Sequence, residues 1–185
     1  MTAFLGRAVI SAAATSIFSA PAFAQTAATA AKIDPADTAW MIVATALVLM
    51  MTIPGLALFY SGMVRKKNVL ATMAQSLAAV ALISVLWIAF GYSLAFVGDG
   101  PWIGTLDRAF LMGMTMESVH SAANTIPEAL FAFYQMTFAI ITVALVAGSV
   151  ADRMRFSAYL LFSGGWLILV YLPMAHWVWG GGFLA

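Results

Sequence analysis

His120 and His176 are the only histidines in this 185-residue sequence, and it contains no cysteine. Without thiols, disulfides, thiolate metal sites and thiol nucleophiles are closed together. Eight Lys+Arg stand against seven Asp+Glu, a net charge of +1, so no field favours nucleic acid or another polyanion. The remaining groups that could hold a ligand are aromatic: 6 Trp, 5 Tyr and 13 Phe. A partly desolvated aromatic face attracts a cation by about 0.5–2 kcal/mol, weakly enough to release it again. Tyr134 and Phe138 are four residues apart, so both rings share one face if that stretch is helical. By position alone, however, Trp40, Trp102, Trp177 and Trp179 read as membrane-interface anchors and Phe138 as a packing residue. Histidine titrates near neutrality and can relay protons. Here both histidines read as bystanders, His120 in a loop and His176 near an interface beside the Trp177/Trp179 pair.

The elements that must position these residues are legible from missing charge. With 64% hydrophobic and 8% charged residues, and a mean hydropathy of +1.00, the chain is too apolar for an ordinary soluble domain. No charge occurs between Asp37 and Arg65, Lys67 and Asp99, Glu128 and Asp152, or after Arg155. Each gap reaches the roughly 20 residues with which a helix crosses about 30 Å of hydrocarbon. Four transmembrane helices are expected, near residues 38–63, 71–97, 127–150 and 157–179. Runs of this length in lipid must satisfy their own backbone hydrogen bonds, which a helix does and an isolated strand does not. Apart from cap residues at their starts, these spans hold no Asp, Glu, Lys, Arg or Cys, so the acid–base or metal constellation of a membrane enzyme is not expected.

Arg65, Lys66, Lys67, Arg153 and Arg155 follow spans one and three, whereas the other connections of the mature chain hold only Lys32 and Arg108. By the positive-inside tendency the two basic turns are cytoplasmic and residues 98–128 form a periplasmic loop. Arg7, the apolar run 8–20 and Ala22-Phe23-Ala24 form a signal-peptide pattern over residues 1–24. Cleavage there leaves residues 25–37 as a short periplasmic start, consistent with that orientation. Asp34 to Thr38 and Asn124 to Glu128 offer carboxylate and hydroxyl caps before spans one and three. Pro54 and Pro173 predict kinks in spans one and four. Small residues at Ala144 and Gly148, and at Ser61 and Gly62, predict close helix contacts.

The stretch from Met51 to Leu70, MTIPGLALFYSGMVRKKNVL, closely resembles the first-helix signature of the ammonium transporter (Amt/Mep/Rh) family. Further resemblances follow in order: GYSLAF from Gly91, FAIIT from Phe138, DRMRF from Asp152 and HWVWGGG from His176. Together they cover residues 37–185. Ser61 departs from the Gly of many members, and Tyr134 from a common Phe.

The resemblance implies an all-α polytopic bundle of about eleven helices in two inverted halves, of which this chain holds four. It implies ammonium or ammonia transport in the plasma (inner) membrane, with no cofactor and no enzymatic activity. Trp179 and Tyr134 correspond to the family's external recruitment site, and Phe138 to one ring of the aromatic gate beneath it. Phe131, outside the matched motif, is expected to matter less. The family's paired pore histidines, buried acidic residue, partner gate Phe and recruiting Ser belong to segments beyond Ala185, so the chain reads as an N-terminal portion. A homotrimer and a PII-type regulatory protein are the implied partners, besides ammonium and the lipid bilayer. An ammonium sensor of the same fold and a non-transporting truncated membrane protein are the alternative readings.

Overall fold

The computed structural model describes residues 32–151 and 153–185. The leader expected over residues 1–24, and the start of the segment that follows it, lie outside them.

Among the described residues, four helices are long and apolar enough to cross a membrane: α1 (Pro35–Met63), α2 (Lys66–Phe96), α3 (Glu128–Val150) and α4 (Phe156–Trp179). Their lengths of 29, 31, 23 and 24 residues each reach the roughly 20 residues needed for hydrocarbon. The chain is therefore a multi-pass helical membrane protein. Helix α1 starts three residues earlier than expected because Asp34 caps it, accepting from the Ala36 N–H at 2.7 Å and the Asp37 N–H at 3.0 Å. Helix α2 also starts early, since Lys66–Asn68 already forms a helical turn.

The expected cap of α3 is absent. Its cap position is Pro127, which makes no side-chain cap bond, and Glu128 turns inward instead of toward the helix end.

Both expected proline distortions take the form of a wide, π-type turn. In α1 it spans Met51–Leu56 and contains Pro54, whose missing N–H cannot complete the regular pattern. In α4 it spans Leu167–Tyr171, just before Pro173, and absorbs the carbonyl that the proline ring would strike. A third wide turn, Trp87–Gly91 in α2, has no proline to announce it.

Helices α2 and α3 form the centre of the bundle. Ile83, Trp87 and Tyr92 of α2 pack with Ile140 and Val143 of α3 and Leu167 and Leu172 of α4, all almost fully buried. The Trp87 indole N–H donates to the Ala132 carbonyl at 3.0 Å, tying α2 to α3. The first stretch of α1, Pro35–Met50, buries no residue fully and lies at the periphery. Of the small residues singled out, Ala144, Ser61 and Gly148 lie in helix contacts, but Gly62 faces open space. At Gly148 the Tyr60 ring lies where a Cβ would stand, and the Tyr60 hydroxyl donates to the Leu145 carbonyl at 3.0 Å.

The long connection between α2 and α3 is pinned to the helix ends rather than free. The Ser93 hydroxyl donates to the Thr105 carbonyl at 2.7 Å and accepts from the Arg108 N–H at 2.9 Å. The Gly104 N–H reaches the Leu94 carbonyl, the Thr105 N–H the Val97 carbonyl and the Glu128 N–H the Ser118 carbonyl.

His176 is a structural contact within the bundle. It is fully buried, with its ring nitrogens 3.1 Å from the Ala95 carbonyl oxygen and 2.6 Å from that of Gly100. It joins α4 to the end of α2 and to the loop that follows. Trp102, Trp177 and Phe183 form an aromatic cluster, with ring centroids 5.1 to 6.2 Å apart.

Candidate functional site

At the end of the bundle that carries the long loop, α3 and α4 enclose an open cavity of about 420 Å³. Its lining includes all three residues singled out in the sequence: Tyr134, Phe138 and Trp179. Tyr134 and Phe138 lie one turn apart on α3, with ring centroids 5.0 Å apart in edge-to-face contact. The helical i, i+4 relation sets them on one face, and the unbroken α-helix of α3 preserves it.

Trp179 is the last residue of α4 and is 54% exposed. Its position depends on the glycines that follow. Gly180 closes the helix, its N–H bonding the Ala175 and His176 carbonyls, and it packs so closely on the Ala95 carbonyl that a Cβ would overlap that oxygen. Gly181 has φ +88°, a left-handed conformation that favours glycine. The His176 ring joins the same two segments. Trp179 is thus held by backbone and buried contacts while its indole stays open to the cavity.

Phe131, expected to matter less than Phe138, also reaches this cavity. It is 6% exposed, lines the same cavity and packs edge-on to Phe96 at 5.2 Å. Phe131, Tyr134 and Phe138 therefore form a ladder down one face of α3.

A second open cavity of about 510 Å³ adjoins the first and shares Phe96, Ala122 and Trp179 with it. It is the more polar of the two, with Asp99, Arg108, His120 and Glu128 in its lining. His120 belongs to its frame. Its Nδ1 accepts from the Ala122 N–H at 3.1 Å, so the proton sits on Nε2, which donates to the Phe96 carbonyl at 2.9 Å. The ring stacks on Phe131 with centroids 4.7 Å apart.

The residue that sequence reasoning missed is Glu128. It is 4% exposed, accepts from the Tyr92 hydroxyl at 3.1 Å and faces the Arg108 guanidinium at 3.5 Å. The available signal was a carboxylate three and four residues before Phe131 and Ala132, which are also buried. A uniformly apolar helix gives no pattern by which to see that this register faces inward.

What the arrangement can do follows from its materials. Aromatic faces and a few polar groups can hold a small cation loosely at the cavity mouth. The Phe138 ring at the lower end of the α3 ladder offers a charged group an apolar surface, which is costly for it to pass.

The chain is 49% identical over 152 residues to a putative ammonium transporter of Methanothermobacter thermautotrophicus, covering 82% of this chain and 37% of that protein. It is 50% identical over 148 residues to an ammonium transporter of Bacillus subtilis, covering 80% and 36% respectively. The crystal structure of Candida albicans Mep2 superposes with a TM-score of 0.72 at 36% identity, over 82% of this chain and 33% of that one. Saccharomyces cerevisiae Mep2 gives 0.67 at 34% identity, over 82% and 34%. The chain thus spans a little over a third of the length of these two curated relatives. Residues 39–185 match the model of the Ammonium Transporter Family, and this chain, helical, membrane-embedded and akin to transporters rather than enzymes, belongs to that family.

Proposed function

We propose that this segment forms the recruitment end of an ammonium-conducting path, within a transporter of its relatives' length. Trp179 and Tyr134 hold the arriving ammonium ion by cation–π attraction, and Phe138 is a gate ring that excludes water and ions beneath them. The observation that carries this reading is the convergence of the three rings, from two helices, on one cavity of about 420 Å³. The family relationship supplies the substrate.

Physical reasons favour this division of labour. An ammonium ion cannot enter hydrocarbon bare, since even lenient insertion scales place a charge at the bilayer centre at about 2.5–3.5 kcal/mol. Two aromatic faces recover part of that without binding so tightly that release becomes slow. A phenyl ring below them denies the ion its hydration shell, so what passes must first shed its charge or be compensated further along.

In this proposal the loop end faces the periplasm and the turns bearing Arg65–Lys67 and Arg153–Arg155 face the cytoplasm of a cell with an inner membrane. The leader is removed, and the assembly is a homotrimer that a PII-type protein can approach from the cytoplasmic side.

The experiment is a chimaera in which residues 39–185 replace the matched part of the Bacillus subtilis ammonium transporter, reconstituted in vesicles with a stopped-flow pH readout. Phe138→Ala leaves a gap that water can fill, so the rate of ammonium flux or its selectivity over other cations should change. Phe133→Ala, at a residue that is 42% exposed, serves as reference and should leave both unchanged. Equal behaviour of the two variants would refute a gating role for Phe138.

A further inference from the structure

Glu128 is a buried carboxylate that the recruitment reading does not use. It heads α3 and touches two other segments: Tyr92, near the end of α2, and Arg108, in the long loop. Its charge has a compensating partner in Arg108, whose side chain is 30% exposed and so remains in contact with solvent. A paired charge casts a much weaker field than a lone one. Attraction of the arriving cation is therefore the smaller part of what Glu128 can do.

Its geometric part is larger. From the Tyr92 hydroxyl, ring contacts run without a break to the cavity. Tyr92 stacks on Phe96 with centroids 6.0 Å apart, and Phe96 meets Phe131 at 5.2 Å. Phe96 and Phe131 both line the cavity that holds Tyr134, Phe138 and Trp179. Glu128 stands one turn above Phe131 on the same buried stripe of α3. The carboxylate thus fixes the height of the α3 aromatic ladder against α2, and α2 is joined through Ala95 to His176 of the helix that bears Trp179.

We propose that Glu128 is a positioning residue for cation recruitment, acting through its hydrogen bond with Tyr92 to set the α3 ladder opposite Trp179. The proposal rests on the recruitment reading given above.

It separates from a charge effect by one substitution. Glu128→Gln keeps a carbonyl-type oxygen that can accept from the Tyr92 hydroxyl but removes the charge. Positioning predicts that Glu128→Gln keeps the half-saturating ammonium concentration of the chimaera within about twofold. Glu128→Ala and Tyr92→Phe, which both lose the bond, should raise it by about three- to tenfold at nearly unchanged maximal flux per folded protein.

Adding Tyr92→Phe to Glu128→Ala should change little beyond Glu128→Ala alone, because the Tyr92 bond is already lost there. Where Glu128→Ala fails to assemble, Tyr92→Phe carries the test, since it removes one oxygen and keeps the ring. A rise for Glu128→Gln as large as for Glu128→Ala would overturn the proposal in favour of charge. A change confined to maximal flux or to the yield of folded protein would overturn it in favour of a purely structural role. Trp179→Leu measured alongside distinguishes the two levels. If it leaves half-saturation unchanged, the recruitment reading itself fails; if it raises half-saturation and Tyr92→Phe does not, only the role of Glu128 fails.

Discussion

Gly148→Ala adds one methyl group to α3 at the point where Tyr60 of α1 crosses it. The new Cβ would overlap the Tyr60 ring, with three ring atoms at or within 3.0 Å. Overpacking of this kind costs about 1–3 kcal/mol. Displacing the ring also breaks the bond from the Tyr60 hydroxyl to the Leu145 carbonyl, and interhelical hydrogen bonds in membranes average about 0.6 kcal/mol. Against this, Ala is a better helix former than Gly by about 0.8–1.0 kcal/mol. The net expectation is a loss of about 1–3 kcal/mol. The sign should reverse when the ring is gone: in a Tyr60→Ala background the methyl meets no aromatic atoms, and Gly148→Ala should stabilise by up to about 1 kcal/mol. Reversible unfolding of the chain in mixed micelles, followed by circular dichroism across the four variants of this cycle, measures both effects. Equal destabilisation by Gly148→Ala in both backgrounds would refute the contact between α1 and α3 as described.

Three further outcomes follow from the account. The membrane-inserted protein should begin at Gln25, as read by N-terminal sequencing or intact mass; a chain still starting at Met1 would contradict the leader. Single cysteines at Lys67 and Ser157 should react with an impermeant thiol reagent only from the cytoplasmic side, and one at Gly104 only from outside; the reverse pattern would overturn the orientation. The 185-residue chain alone, reconstituted in vesicles, should conduct no ammonium, because it spans only 36% of the Bacillus subtilis ammonium transporter. Its cavity is also open on one side, with Trp179 54% exposed. Robust conduction by the chain alone would show that the path has been misplaced.

How much of this was legible in the sequence depended on whether lipid or protein imposes the constraint. Lipid excludes charge, so the gaps between Asp37, Arg65, Lys67, Asp99, Glu128 and Asp152 delimit α1 to α3, and the run after Arg155 holds α4. Asp34 and Pro54 act locally, and their cap and wide turn follow from their own chemistry. Facing is another matter. In water a buried stripe announces itself by contrast with polar neighbours, but in lipid both faces of a helix are apolar. Phe131 and Phe133 are the same residue type two positions apart, yet one is 6% exposed and the other 42%. Nothing local distinguishes them, and so the share of Phe131 in the cavity stayed hidden.

The same blindness applied to polar residues at the helix ends. Glu128 reads as part of a helix cap and His176 as a bystander, and neither reading reveals the partners Tyr92, Arg108, Ala95 and Gly100, which lie 20 to 81 residues away in sequence. Tyr134, Phe138 and Trp179 were named by family resemblance. Their convergence on one cavity is a property of how α3 packs against α4.

The central claim, recruitment of ammonium by an aromatic cavity mouth, is tested most directly by the concentration dependence of ammonium flux through the Bacillus subtilis chimaera with and without Trp179→Leu. Removing one cation–π partner worth about 0.5–2 kcal/mol should raise the half-saturating concentration by roughly two- to thirtyfold. The maximal flux should change far less, since the ring acts before the gate. An unchanged half-saturating concentration, with the substituted protein folded and inserted, would contradict the account.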